Sequence, residues 1–257
     1  MAAPRRIVYH RAVSDLAAPL ENIRRRLAEA CQRAGRDPAE VTLLAVSKNQ
    51  PPERVTEAAR LGLTLFGENR VQEARQKIPL CPGHLSWHFI GHLQSNKARE
   101  AVALFGMIQG VDRPDLAREL QRQAALQARR VPVLLEVNVA GESSKFGWDP
   151  DRLPAALAEW KDFDRLEIHG LMTVAPYATD PERVRPVFRR LRELRDRCAD
   201  VLGVPLPVLS MGMSGDFPVA VEEGATLVRL GTALFGPRPR PARATSGAED
   251  PGFGSET

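Results

Sequence analysis

One alternation constrains this chain more than anything else in it. Short apolar runs that read as strands begin near Val41, Thr64, Trp87, Met107, Pro132, Leu166, Leu206 and Thr226. The first, Val41-Thr-Leu-Leu-Ala-Val46, carries β-branched residues and reads as a buried strand. The stretches between them open with helix-start chemistry. Pro52 precedes Glu53, Asp112 stands before Pro114, Asp149 before Pro150 and Asp180 before Pro181. Aspartate suits a helix N-cap and proline its first turn. Eight strands alternating with helices predict a parallel α/β architecture, because parallel neighbours need crossover connections.

Two arrangements satisfy that pattern, an open doubly wound sheet or a closed barrel. Eight units within about 200 residues, with no Gly-x-Gly-x-x-Gly after the first strand, favour a single TIM-type (β/α)8 barrel. An extra N-terminal helix precedes it. Leu16, Leu20, Ile23, Leu27, Ala30 and Ala34 share one face, and Gly35 and Pro38 end the helix. A second strong helix carries Val184, Val187, Phe188, Leu191, Leu194, Cys198 and Val201 on one stripe, which gives Cys198 a core role. After Gly236 the composition turns to Pro, Gly, Ser and charge. The expected organisation is an N-terminal extension at 1–13, the barrel with its N-terminal helix at 14–236, and a disordered tail at 237–257.

Composition excludes several classes of function. The 36 cationic residues exceed the 32 acidic ones by only four, and just five are lysines (48, 77, 97, 145, 161). The arginine pairs at 24–26, 129–130 and 189–190 are interleaved with acids on helix faces, and aromatic residues are few, so no nucleic-acid partner is expected. Three cysteines do not make a disulfide framework. No apolar run reaches the roughly 18 residues a membrane span needs, and Ile7-Val8-Tyr9 is cut off by His10 and Arg11. A cytoplasmic globular protein with no membrane partner is expected. His84, His88 and His92 stand four apart, but their segment reads as a strand. Four strand residues span about 13 Å, too far for His88 and His92 to share an ion, and no metal is expected.

In a parallel barrel, functional groups gather where strands end. Ser47-Lys48 closes the first apolar run. An ammonium there either snorkels to solvent or sits in a cleft, where desolvation makes the amine nucleophilic toward an aldehyde. The other four lysines stand among polar neighbours and read as surface charges. After the last two runs come Ser210-Met-Gly-Met-Ser-Gly-Asp216 and Arg229-Leu-Gly-Thr-Ala-Leu-Phe-Gly236. Glycine at a strand-to-helix turn lets backbone N–H groups approach an anion, and barrels often bind phosphate with these two loops. Closure would set the eighth strand beside the first, so amine and anion cradle would share one mouth. A ligand carrying both phosphate and aldehyde fits: pyridoxal 5′-phosphate (PLP), or the substrate of a phosphosugar aldolase.

Leu44-Ala-Val-Ser-Lys48, Phe66-Gly-Glu-Asn69, Trp87-His-Phe-Ile-Gly91, Leu93-Gln-Ser-Asn-Lys97, Gly170-Leu-Met172, Leu209-Ser-Met-Gly-Met-Ser214 and Val228-Arg-Leu-Gly-Thr-Ala-Leu-Phe-Gly236 together resemble the pyridoxal-phosphate homeostasis proteins. The resemblance runs from about Val41 to Gly236, in order. It implies a barrel like the N-terminal domain of alanine racemase that holds PLP as an internal aldimine and serves vitamin B6 homeostasis as a carrier without established catalysis. Carried over by position, Lys48 would be the Schiff-base lysine. Ser214, Gly231 and Thr232 would hold the phosphate, with Gly212 and Met213 shaping the turn. Arg229 would face the pyridine nitrogen, and Asn69 and His88 would line the ring pocket. A guanidinium only donates, so it would keep that nitrogen unprotonated and weaken the cofactor as an electron sink. The alternative is a PLP-dependent amino-acid racemase, which needs a tyrosine from an additional β-domain; Tyr9 and Tyr177 are the two tyrosines in the sequence, and no such domain is expected within it. The implied partners are PLP and PLP-dependent apoenzymes, and the implied state is a monomer.

Overall fold

A computed structural model describes residues 15–237 apart from Ser143. Eight parallel strands close into a barrel in sequence order: β1 (Thr42–Val46), β2 (Leu65–Glu68), β3 (Ser86–Phe89), β4 (Met107–Val111), β5 (Val131–Glu136), β6 (Leu166–Met172), β7 (Val208–Ser210) and β8 (Leu227–Leu230). The helices are α1 (Ala17–Arg33), α2 (Pro52–Arg60), α3 (Val71–Lys77), α4 (Ala98–Leu104), α5 (Pro114–Leu126), α6 (Leu153–Ala156), α7 (Arg185–Leu202), α8 (Phe217–Glu222) and α9 (Thr232–Phe235). The closed barrel is the arrangement the alternation favours over an open sheet. Its seam is the pairing of β1 with β8, where Leu44 stands opposite Arg229 and Ala45 opposite Leu230.

Strand alternation sorts the side chains. Ala45, Phe66, Trp87, Phe89 and Val228 face the helices and join the main core. Leu44, Val46 and Leu227 pack inside the barrel with Leu65, Ile90 and Val208, and a second interior group joins Met107, Leu134 and Met172. The barrel interior is therefore filled by side chains. The extra helix α1 packs on α8 and α9 and buries Leu20, Ile23, Leu27, Ala30 and Cys31.

Three expectations are corrected in detail. Asp112 does not cap α5. Its carboxylate instead meets His92 Nδ1 and Arg113 Nη1, each at 2.6 Å, and Arg113 takes the cap position. Capping at Asp180 is as expected, its carboxylate accepting from the Glu182 N–H at 3.0 Å. Val201 is not core but half exposed. It lies about 80° round the helix from Leu191, at the edge of the stripe, while Cys198 is buried. Lys77 is the third correction: it is buried, 5 % exposed, and not a surface charge. Lys97 and Lys145 are partly covered and pair with Glu100 and Glu142, and the Lys161 side chain lies outside what the structure describes. The expected N-terminal extension at 1–13 and, beyond Pro237, the expected disordered tail also lie outside the described residues.

Candidate functional site

The site forms where β1, β7 and β8 deliver their last residues to the rim. A cleft of about 310 Å³ opens there, lined by Val46, Lys48, Gln50 and Ile90 on one side and by Met213, Ser214, Arg229 and Thr232 on the other. Val174, Gly215, Gly231 and Gly236 complete it. Lys48 reaches this cleft by parity, because Leu44 and Val46 face the barrel interior and two residues on is the next inward position.

The two glycine-containing turns are tied to each other. Ala233 N–H donates to Ser214 Oγ at 3.0 Å, and Arg229 N–H donates to the Gly212 carbonyl at 3.0 Å. Within the first turn, Asp216 Oδ1 accepts from Met213 N–H at 2.6 Å. The N–H groups of Ser214 and Gly215 meet no acceptor among the described residues. Backbone donors with no internal acceptor, next to two hydroxyl side chains, suit an anion. Gly212 has φ +91°, and a Cβ there would lie 2.6 Å from the Ala220 Cβ. Only glycine lets this turn sit down on α8.

Arg229 lies at the bottom of the cleft, 4 % exposed. Its Nη1 donates to Ser210 Oγ at 2.6 Å and its Nη2 to the Thr173 carbonyl at 2.7 Å. Burial pulls its pKa down to about 10, against the opposing pull of Glu136 and Asp216, and it stays charged at neutral pH. The chain of bonds continues inward: Ser210 Oγ donates to Gln109 Oε1 at 2.7 Å, and Gln109 Nε2 meets His88 Nδ1 at 3.0 Å. Gln109 Oε1 only accepts and Gln109 Nε2 only donates, so Ser210 accepts from Arg229 and gives its own proton to Gln109, and His88 accepts at Nδ1. Burial pushes the His88 pKa down to about 4, which keeps the ring neutral. Glu136, also inside the barrel, is pushed up to about 7 by burial and by the nearby Asp112 carboxylate, with Arg229 pulling the other way.

The structure thus brings Lys48, Met213, Ser214, Arg229, Gly231 and Thr232 to one cleft. Gly212 lies just behind it, under the turn. Asn69 and His88 are not among its lining residues. Asn69 follows β2 with its backbone pressed against Gly91, where a Cβ would fall 2.5 Å from the Asn69 carbonyl, and His88 sits at the inner end of the Arg229 chain. Lining residues to which the sequence reading gave no role in the site are Val46, Gln50, Ile90, Val174, Gly215 and Gly236. Counting inward positions in steps of two from His88 and Met172 would have found Ile90 and Val174. Nothing local marked Gln109 or Glu136.

Over residues 19–239 the chain matches the family described as alanine racemase, N-terminal domain, the class of ligand-binding barrel that this topology and rim define. A pyridoxal phosphate homeostasis protein of Aquifex aeolicus is 46 % identical over 220 residues, which cover 85 % of this chain and 96 % of the relative. Its counterpart in Escherichia coli is 38 % identical over 237 residues, covering 88 % and 98 %. The chain belongs to the family of pyridoxal phosphate homeostasis proteins. Among solved structures, PipY of Synechococcus elongatus PCC7942, with PLP bound, superposes with a TM-score of 0.73 at 41 % identity, covering 83 % of this chain and all of that one. An alanine racemase of Clostridium difficile 630 superposes at 0.67 with 14 % identity over 89 % of this chain and 58 % of its own, a likeness of fold.

Proposed function

We propose that this chain binds PLP in the rim cleft, anchored through Lys48, and holds it for vitamin B6 homeostasis. The observation that carries the reading is the convergence of Lys48, Arg229 and the two turns at 213–215 and 231–232 on a single cleft. The donor set fits the cofactor group by group. A primary amine suits the aldehyde, N–H groups and hydroxyls suit the phosphate, and a donor-only guanidinium suits a pyridine nitrogen that accepts. Ile90, Val46 and Val174 offer apolar surface to a ring, and about 310 Å³ is at the small end of ligand sites. When bound, the cofactor supplies an aldehyde that condenses with an amine. The protein's part is to hold Lys48 Nζ at the cleft, to grip the phosphate with Ser214 and Thr232, and to fix the Arg229 guanidinium through Ser210 and Thr173.

What lines the cleft supports the reading as a holder over that as a racemase. Such a racemase needs a second acid/base facing the ring, and no tyrosine lines the cleft among the described residues. Tyr177 is 94 % exposed. Delivery to PLP-dependent apoenzymes, action as a monomer and a place in the cytoplasm belong to the same proposal. Among the described residues no helix is long and apolar enough to cross a membrane.

The test is direct. Purified protein incubated with PLP should show a visible band that borohydride bleaches and fixes to the peptide containing Lys48. Lys48→Ala should abolish both. Fixation at another lysine in the wild-type chain would overturn the assignment. Rapid exchange of the α-proton of L- or D-alanine in deuterated water would instead favour the racemase.

A further inference from the structure

Directly behind the Lys48 turn lies an ionic cluster inside the protein. Lys77, the last residue of α3, directs Nζ to three oxygens, each at 2.7 Å: the Ser47 carbonyl, Glu68 Oε1 and Glu73 Oε1. Ser47 Oγ donates to the same Glu68 Oε1 at 2.7 Å. Glu73 Oε1 also accepts the Asn49 N–H at 2.6 Å. Both neighbours of Lys48 are therefore held by one ammonium, Ser47 directly through its carbonyl and Asn49 through Glu73. Asn49 has φ +61°, a left-handed conformation that a non-glycine residue keeps only when its surroundings impose it. Glu68 is fully buried, and its second oxygen, Oε2, has no hydrogen-bond partner among the described residues.

Such a cluster is a poor way to add stability. Desolvating an ammonium and a carboxylate costs about as much as their attraction returns, and apolar residues of similar size often do as well. What it does provide is a fixed position, since each bond has a required distance and direction. We propose that Lys77 is a positioning residue for Lys48: it clamps the backbone on both sides of the anchoring lysine, and so sets where that amine enters the cleft. The proposal rests on the reading of Lys48 as the residue that carries the cofactor.

Lys77→Met alone would strand the buried Glu68 carboxylate and threaten the fold. The informative variant is Lys77→Met with Glu68→Gln, which removes both charges and keeps an acceptor for Ser47 Oγ. Two readouts are taken, amide hydrogen exchange at Asn49 and Gln50 in cofactor-free protein, and PLP retention together with the pH midpoint of the visible band. The expected result is a melting temperature close to wild type, at least tenfold faster exchange at Asn49, at least tenfold weaker retention and a displaced pH midpoint. Unchanged exchange overturns the proposal, and so does faster exchange with unchanged retention and midpoint. Glu73→Ala, at a half-buried site that leaves the Lys77–Glu68 pair in place, should speed exchange at Asn49 in a fold the change does not endanger. If Lys48→Ala still carries reducible cofactor, the cofactor reading falls, and exchange at Asn49 alone decides whether Lys77 holds the turn.

Discussion

Arg229 Nη1 donates to Ser210 Oγ at 2.6 Å, joining the end of β7 to β8 beneath the cleft. Ser210 in turn donates to Gln109, 101 residues earlier in the chain. The bond belongs to a buried chain of donors with one direction, and its middle members, Ser210 and Gln109, are fully buried.

Ser210→Ala should therefore leave both Gln109 Oε1 and one Arg229 N–H without their partner. The expected cost is about 1–3 kcal/mol, the scale for a buried group left unsatisfied, or a melting temperature lower by several degrees at about 2–4 °C per kcal/mol. Combining Ser210→Ala with Gln109→Leu should cost clearly less than the two changes summed, because they break one network. Strict additivity in a thermal double-mutant cycle would contradict the chain.

His88 and Glu136 should give opposite pH slopes. His88 titrates near 6.5 when unfolded and about 4 when folded. Between those values the unfolded chain binds more protons, so this group makes stability rise with pH. Glu136 titrates near 4.5 unfolded and about 7 folded. There the folded chain binds more protons, so its contribution is present at low pH and is lost as pH rises through about 7. The windows overlap, and the wild-type profile between them should be flattened. Glu136→Gln should unmask a rise in melting temperature from pH 4 to 6.5, and His88→Gln a fall from pH 4.5 to 7. Parallel profiles for the two variants would refute the assignment.

Gly212→Ala should be among the most damaging single methyl additions in the barrel. The residue has φ +91°, and the new Cβ would meet the Ala220 Cβ at 2.6 Å and the Phe217 Cα at 3.0 Å. Backbone strain of about 1–3 kcal/mol adds to overpacking of similar size, and the turn that carries Met213 and Ser214 must lift off α8. Thermal unfolding and PLP retention should both deteriorate. Gly215→Ala, where a Cβ meets nothing within 4 Å, is the control and should unfold near the wild-type temperature.

Ser214→Ala removes one hydroxyl from the cleft and also the acceptor of the Ala233 N–H. PLP retention should weaken by about 1.5–3 kcal/mol, the range for a hydrogen bond to a charged group, with the borohydride-reducible band still forming on Lys48. Equal retention in equilibrium dialysis would remove Ser214 from the phosphate site.

By itself the sequence determined the architecture and the rim. Short apolar runs and period-3.6 patterns are local properties of the chain, so eight strands, their helices and the residues that end β1, β7 and β8 could be read without any contact between them. Closure of the barrel followed from counting units, and it put Lys48, Ser214 and Arg229 in one cleft. Only the tertiary structure decided which charges lie inside. Lys77 stands among polar neighbours in the chain, yet Ser47 and Glu68 arrive from β1 and β2 to receive it. Asp112 has the spelling of a helix cap, yet His92 from another loop claims its carboxylate. A buried polar group persists only where partners meet it, and those partners are brought by strands far away in sequence, which no local pattern encodes.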